Sequence, residues 1–340
     1  MLDLASSFEA LGPPPNTSEG DGSRFSAMPI PGYPQHRLGK DPHGAPSLLV
    51  EVTDGKGRVW HAPIVLEHLT VQHDVDCRVT QPDGSVEKGR FTVLRCTGMD
   101  PALHSYFLRV ASALVALLGQ DPSGLDVSKA VDRLVELFRS MGAAPRKSVQ
   151  GLWAEVLLME RLRDPAPLVA AWHALPGDRY DFSAGSQRIE VKSATGRVRQ
   201  HYFALEQLVS VPGTQVLVAS VLVERAGAGT ALLELVSSVR SKVSYDPQLL
   251  LQVDQVVAEA LGDSWRRAQE ERFDRQLAES SFSFLESGAI PRVDANVPRG
   301  VSDVRFRVDL TGLPTADLDA YRAQGGLFAA ALHRLTPSRA

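Results

Sequence analysis

The feature that most restricts the fold is an unbroken apolar run from Gln215 to Val223, with the sequence QVLVASVLV. It lacks the alternation of apolar and polar residues that a half-exposed strand shows. The run therefore predicts a strand buried on both faces, as in the middle layer of an α/β fold. Hydrophobic residues make up 44% of the 340 positions, so the chain can bury such a layer.

Two shorter β segments lie upstream of this run, at 179–183 and 187–193, and a turn rich in serine and glycine joins them. The predicted hairpin places Asp181 and Glu190 at facing positions. Lys192 lies two residues beyond Glu190, so both side chains point to the same face of the strand. Two acids and an amine are thereby expected to meet in the middle of one hairpin.

A helix predicted over 148–163 carries a further acid on its apolar side. On a helical wheel, Glu155 projects between Met159 and Leu162 and away from Arg161. A carboxylate that faces a core is costly unless it is paired or binds a metal. Two interpretations stay open: a metal ligand, or an acid at the rim of the stripe or paired with a buried arginine.

The triplet of an acid, any residue and lysine is a weak signal by itself. It occurs twice, at Asp54-Gly55-Lys56 and at Glu190-Val191-Lys192. The first is ordinary turn chemistry, whereas the second lies in a β pattern. Only seven of the 36 basic residues are lysine, so a lysine at this position indicates a need for a compact, deprotonatable charge.

These residue types are what a metal-dependent phosphodiesterase requires. Asp181, Glu190 and the backbone carbonyl of Val191 would hold a hard dication such as Mg²⁺, which prefers oxygen ligands. Lys192 would orient or deprotonate the attacking water and stabilise developing charge. The competing interpretation is a cross-strand ion pair on a solvated face.

Basic residues surround the triplet in sequence. The net charge is -4, so a nucleic-acid partner would need a local basic patch. Candidate phosphate contacts near Lys192 are Arg188, Arg197, Arg199 and His201. Gln207 is a candidate supporting group from the following helix. Arg305 and Arg307 form a second candidate stripe, and no phosphate-binding glycine loop occurs in a convincing context.

The remaining patterns divide the chain around a core at 143–240. The predicted segments are a flexible arm (1–27), a mainly antiparallel β domain (28–99), a helical connector (100–142) and a C-terminal α+β extension (241–340). Hairpin turns are expected at 54–57 and 81–84, helices at 103–117, 127–141, 202–210 and 247–261, and a strand at 304–310. The segment 231–236 fits a helix or an edge strand.

Targeting and redox signals are sparse. No run of about 18 apolar residues occurs, so no transmembrane helix is expected. The N-terminus lacks a secretory pattern, which favours a cytoplasmic location and predicts that Cys77 and Cys96 are reduced thiols.

Asp181, Glu190-Val191-Lys192 and Glu155 together resemble the PD-(D/E)XK nuclease superfamily. The chain is also similar to a bacterial family of PD-(D/E)XK motif proteins of unknown function. That similarity lies in Gly151–Glu155, His201–Leu208, Ile290–Val293 and Val301–Leu310. Tyr180 stands where the motif's name has proline, and Asp178 is an alternative motif aspartate, although Asp181 fits a strand position better.

The resemblance implies a central mixed sheet flanked by helices, Mg²⁺ or Mn²⁺ as cofactor, and Asp181, Glu190, Lys192 and Glu155 as catalytic residues. It also implies DNA as partner and a role in restriction or phage defence, with other defence proteins or a homodimer left open. The leading hypothesis is a metal-dependent DNA endonuclease or nickase. The alternative is a subunit that keeps the fold without catalysis and binds DNA or a partner.

Overall fold

A computed structural model describes residues 2–14, 23–51, 62–174, 177–209, 212–293 and 297–333. The chain divides into two compact units. Unit 1 comprises residues 1–143 and 245–258, and unit 2 comprises residues 144–244 and 259–340. The proposed site residues all lie in unit 2.

Unit 1 is built on a six-stranded sheet. Its strands are β1 (Ser23–Ile30), β2 (Tyr33–Lys40), β3 (Pro46–Val50), β4 (Ile64–Val65), β5 (Leu69–Thr80) and β6 (Val86–Cys96). Neighbouring strands pair antiparallel in the order β1-β2-β3-β6-β5-β4, and β1 also pairs parallel with β5. Five of the strands therefore close into a ring, with Phe25, Leu49 and Phe91 among its buried side chains.

Three helices of unit 1 are α1 (Leu4–Glu9), α2 (Pro101–Leu118) and α3 (Gly124–Met141). Asp100 caps α2, and Ser123 with Asp126 forms a capping box on α3, which fixes where both helices begin. Among the described helices, α2 alone is long and apolar enough to cross a membrane. Half of it is buried inside the protein, as expected of a core helix.

Unit 2 contains a mixed four-stranded sheet. Its strands are β7 (Phe182–Ala184), β8 (Gln187–Ala194), β10 (Gln215–Leu222) and β13 (Ser283–Glu286), in the order β13-β10-β8-β7. The pair β8–β10 is parallel, and the other two pairs are antiparallel. Six consecutive residues of β10, Val216 to Val221, are buried, which confirms the strand that the apolar run predicted.

Two short ribbons complete the β structure of unit 2. Strand β9 (Gln200–Ala204) pairs with β14 (Arg305–Asp309), and β11 (Arg225–Ala231) pairs with β12 (Arg272–Phe273). Phe203 of β9 and Val308 of β14 pack in one cluster with Val218 of β10, so the inner face of the first ribbon is buried beside the sheet.

Further helices follow α3 in the sequence. They are α4 (Val149–Glu160), α5 (Ala166–Ala171), α6 (Leu205–Leu208), α7 (Leu232–Lys242), α8 (Pro247–Leu261), α9 (Arg267–Glu270), α10 (Arg275–Ser281), α11 (Leu318–Ala323) and α12 (Gly326–Ala331). Residues 247–258 of α8 belong to unit 1. Helix α4 packs against β8 and α7, and α10 packs against β10. The fold is thus mixed α/β with a mixed sheet, as the fold class predicted.

Several local predictions need correction. The expected arm contains α1, which is held because Leu4 and Leu11 are buried. The helix expected at 202–210 is strand β9 followed by the single turn α6, because β9 forms a ladder with β14. The ambiguous segment 231–236 is helical, and β13 of the expected extension joins the core sheet.

Other local predictions are confirmed or lie outside the description. The hairpin turn at 81–84 joins β5 to β6, and the strand at 304–310 is β14. The hairpin turn at 54–57 lies outside the described residues. Cys77 and Cys96 are free and buried, and burial raises the pKa of each thiol to about 11.

Candidate metal and nuclease site

The β7–β8 hairpin sets the position of Asp181. The register pairs Phe182 with Ile189, and extending it by one residue places Asp181 opposite Glu190. Gly185 begins the two-residue turn with φ +52°, a left-handed conformation that glycine adopts without steric cost. The Val191 backbone N–H donates to Asp181 Oδ2 at 2.7 Å, so the aspartate is fixed to the strand that carries Glu190 and Lys192.

Helix α4 supplies Glu155. Ser148 caps the helix by accepting a hydrogen bond from the Gly151 N–H. The helix is buried on nearly all sides, including Glu160, so it has no distinct polar face. Glu155 is only 2% exposed. The helical wheel therefore gave the right burial for Glu155 although the helix is not amphipathic.

Four polar groups meet around Glu155. The Lys147 ammonium donates to Glu155 Oε1 and to Asp181 Oδ1, both at 2.5 Å. The Trp172 indole N–H donates to Glu155 Oε2 at 2.9 Å. His173 Nε2 lies 3.0 Å from Lys147 Nζ, 3.4 Å from Glu155 Oε2 and 3.5 Å from Asp181 Oδ1. We call Lys147, Glu155, His173 and Asp181 the inner cluster.

Glu190, Lys192 and Gln207 form a second set, which we call the strand cluster. Lys192 Nζ lies 2.6 Å from Glu190 Oε1 and donates to Gln207 Oε1 at 3.1 Å. The Gln207 amide donates to Glu190 Oε1 at 2.7 Å. The Lys192 ammonium also lies 5.0 Å from the centre of the Phe203 ring. Gln207 thus bridges the acid and the lysine.

One oxygen of the strand cluster is left without a partner. Glu190 is 3% exposed, and within the described part of the chain its Oε2 has no hydrogen-bond partner. Burial and the negative charge of Asp181 raise the pKa of Glu190 to about 7, against the opposing charge of Lys192. A buried, unpaired carboxylate oxygen beside another carboxylate is suited to contact a positive ligand.

In the inner cluster the pKa of the buried carboxyl is lowered, opposite to the raised pKa of Glu190. Burial by itself would raise the pKa of Glu155, but the adjacent Lys147 charge and the contacts with His173 together outweigh burial and lower that pKa to about 2. Burial likewise opposes the charge on Lys147, yet Asp181 and Glu155 raise the pKa of the ammonium above its ordinary value. Glu155 is therefore ionised, and it shares the Lys147 ammonium with Asp181.

The donor set fits a divalent metal. Glu155, His173 and Asp181 each offer one ligand atom, and these atoms all lie within 4.8 Å of one another. Glu190 adds the unpartnered Oε2 close enough to Asp181 for their charges to interact. These oxygen-rich ligands match the chemistry that a hard dication requires.

The structure separates the candidate basic residues. Arg197 is exposed, and Arg188 donates to the backbone oxygens of Gly185 and Gln187 beside the hairpin turn. Arg199 instead donates to Ser220 O and Oγ at 3.0 and 2.9 Å and to Ser281 O. The Arg199 guanidinium therefore stabilises contacts within the protein, and we do not propose it as a phosphate contact.

We likewise do not propose His201 as a phosphate contact. It is 2% exposed, and its Nε2 lies 2.8 Å from Ser220 Oγ. Burial, followed by the positive charges of Lys192 and Arg199, lowers the pKa of His201 to about 4. A buried neutral imidazole cannot attract a phosphate from solvent.

Sequence reasoning missed two members of the inner cluster, Lys147 and His173, and the neighbouring donor Trp172. Lys147 is one of the seven lysines, so it carries the same compositional signal that marked Lys192. Trp172 is fully buried, and its indole N–H donates to Glu155. No sequence signal marked His173. Asp181, not the alternative Asp178, is the aspartate that joins the cluster.

Comparison with known proteins identifies a family. The family described as "Putative PD-(D/E)XK family member, (DUF4420)" matches residues 4–311. No curated protein and no solved structure matches the chain significantly. Because the family match covers most of the sequence, the chain belongs to this PD-(D/E)XK family, which confirms the resemblance.

Proposed function

We propose that the chain is a metal-dependent DNA endonuclease or nickase that hydrolyses phosphodiester bonds. The observation that carries the proposal is the unpartnered, buried Oε2 of Glu190 beside Asp181, on a hairpin that also presents Lys192. Membership of a PD-(D/E)XK family supports a nuclease fold. The proposed setting is the bacterial cytoplasm, in restriction or phage defence.

Asp181, Glu190 and the Val191 carbonyl would hold Mg²⁺ or Mn²⁺, with Glu155 in support. When bound, the dication supplies charge neutralisation at the scissile phosphate and helps to make a nucleophile from water. The protein's own contribution is to keep two carboxylates at facing positions of one hairpin. The 2.7 Å bond from the Val191 N–H to Asp181 keeps one of them in place.

Lys192 acts on the water and on the developing phosphate charge. An ammonium has only donors, so it orients a water through the oxygen lone pairs and stabilises negative charge. Glu190 and Gln207 hold the ammonium from two sides, at 2.6 and 3.1 Å. This restraint holds the Lys192 ammonium in position before a substrate binds, which is the preorganisation that catalysis requires.

DNA would bind across the outer face of the β9–β14 ribbon. Tyr202 is 65% exposed, and the register places it directly opposite Arg307. Arg305 lies on the same exposed face, two residues before Arg307. Two guanidinium groups suit phosphates, and an exposed ring suits an unstacked base. The ribbon continues into α6, whose Gln207 contacts Lys192, so bound DNA would lead towards the strand cluster.

Plasmid nicking tests the proposal. Supercoiled DNA is incubated with the wild type, Lys192→Ala and Glu190→Gln in the presence of Mg²⁺ or Mn²⁺. We expect nicking by the wild type only, with unchanged circular dichroism for all three proteins. Lys129→Ala is the matched control, because Lys129 is an exposed lysine of unit 1 and its loss should leave nicking intact. A wild type that cleaves no form of DNA or RNA would refute the proposal.

A second function is favoured by the inner cluster. The Lys147 ammonium already neutralises Glu155 and Asp181, as in a fold that has lost catalysis and serves for binding. Such a subunit would bind DNA or a partner protein without a metal. Salt-sensitive DNA binding that survives Asp181→Asn, together with no nicking, would favour this function over the nuclease.

A further inference from the structure

The Lys147 ammonium lies at the centre of the inner cluster. Its Nζ is within 2.5 Å of two carboxylate oxygens, one from Glu155 and one from Asp181, and 3.0 Å from His173 Nε2. Glu155 and Asp181 are 2% and 5% exposed. A cation thus contacts all three residues whose ligand atoms converge within 4.8 Å.

The orientation of His173 indicates that its lone pair faces this position. An ammonium has no acceptor, so Nε2 can bond to Lys147 only through its lone pair, which places the imidazole proton on Nδ1. His173 also adopts φ +43°, in the left-handed region that residues other than glycine occupy uncommonly. His173 is therefore set to donate a nitrogen to a cation.

The same space cannot hold both an ammonium and a metal ion. Two buried carboxylates need positive charge, and either an ammonium or a dication can provide it. The inner and strand clusters together carry three carboxylates (Glu155, Asp181 and Glu190) and two ammonium groups (Lys147 and Lys192). Removing the Lys147 charge leaves a stronger net negative potential for a dication.

We propose that the position between Glu155, His173 and Asp181 is a transition-metal site, and that Lys147 occupies it as a built-in competitor when no metal is bound. An imidazole nitrogen suits transition-metal dications, whereas Mg²⁺ takes oxygen ligands. The site therefore selects Mn²⁺ over Mg²⁺. This inference deepens the metal requirement of the proposed function, but its test contains no DNA.

Direct titration with Mn²⁺, followed by electron paramagnetic resonance, tests the site. We expect Lys147→Met to bind Mn²⁺ at least about tenfold more tightly than the wild type, because a like charge has been removed from the position. His173→Asn, whose side chain tolerates a positive φ, should weaken Mn²⁺ much more than it weakens Mg²⁺ measured by competition. Lys129→Met serves as the control for loss of a surface lysine and should bind like the wild type.

Two results would overturn the inference. One is an Mn²⁺ affinity in folded Lys147→Met that is equal to or lower than that of the wild type. The other is an equal loss of Mn²⁺ and Mg²⁺ affinity in His173→Asn. Lys147→Gln, which keeps an N–H donor for the carboxylates, replaces Lys147→Met if the latter does not fold.

A measurement on the wild type is independent of any variant. Because Lys147 is held between two carboxylates, its amine should react slowly with an acylating reagent, and saturating Mn²⁺ should raise that rate about tenfold. Mass spectrometry of the peptide containing Lys147 gives the rate, with the peptide containing Lys129 as reference. An unchanged rate at saturating Mn²⁺ would contradict the displacement. If Mn²⁺ binds as expected but no nucleic acid is cleaved, only the proposed nuclease fails.

Discussion

The buried His201 should make unit 2 sensitive to acid. It is 2% exposed on β9, and burial, together with the charges of Lys192 and Arg199, lowers its pKa from 6.5 to about 4. In the unfolded chain the imidazole regains its ordinary pKa. Between these two values the unfolded state binds more protons than the folded state, so stability falls as pH is lowered.

The size of the effect follows from the two pKa values. The contribution of His201 to the free energy of unfolding is fully present above pH 6.5 and is lost as pH falls towards 4. The difference of about 2.5 between the folded and unfolded pKa values of His201 corresponds to about 3 kcal/mol at pH values below both. About 2 kcal/mol of this stability is already lost at pH 5. Acid should therefore weaken the ribbon that adjoins Lys192 and Gln207.

Urea unfolding at pH 7.5 and pH 5.0 measures this loss. Three of the four tryptophans, Trp153, Trp172 and Trp265, lie in unit 2, so tryptophan fluorescence mainly reports its unfolding. Wild type should lose about 2 kcal/mol more than His201→Gln between these pH values. His43→Gln, at an exposed histidine of unit 1, should behave like the wild type. Equal pH dependence in the wild type and His201→Gln would refute the reasoning.

Three further predictions concern the site and its surroundings. Gln207→Leu should lower the rate of plasmid nicking at saturating DNA about 10–100-fold, because Lys192 and Glu190 lose their shared partner. Tyr202→Ala should weaken binding of single-stranded DNA about tenfold in fluorescence anisotropy with EDTA, whereas Tyr245→Ala, at a tyrosine 69% exposed in unit 1, should not. Trp172→Phe should lower the free energy of unfolding by at least about 1.5–3 kcal/mol in urea, since a buried charged acceptor loses its donor.

Local periodicity predicted the elements whose sequence signal agrees with their tertiary surroundings. The run from 215 to 223 is the buried strand β10, and the stripes of α2 and α3 pack inside unit 1. The facing positions of Asp181 and Glu190 followed from strand geometry and a short turn, both of which are local. The same rules could not give the closed ring of unit 1, because the parallel pair β1–β5 depends on residues about 50 positions apart.

The prediction failed where a distant partner overrides local preference. Residues 200–204 form a strand because β14, about 100 residues later, supplies the ladder. The inner cluster shows the same limit, since Lys147 precedes a helix and His173 follows one. Their contact with Asp181 depends on how α4 and α5 pack, and no periodic pattern records this.

Lysine scarcity was the most informative compositional signal, and it applies beyond Lys192. In the described structure the ammonium groups of Lys147, Lys192 and Lys242 each bond to two or more acceptors, and half-buried Lys40 bonds to the Leu11 carbonyl. Lys242 reaches the carbonyl oxygens of Glu160 and Leu162. Such positions suit the small ammonium and unbranched side chain of lysine, whereas a planar guanidinium would need a wider space. At these four positions a small cation must fit, whereas Lys88 and Lys129 are exposed. Lys147 and Lys192 are the two whose cation contacts the carboxylates of the proposed site.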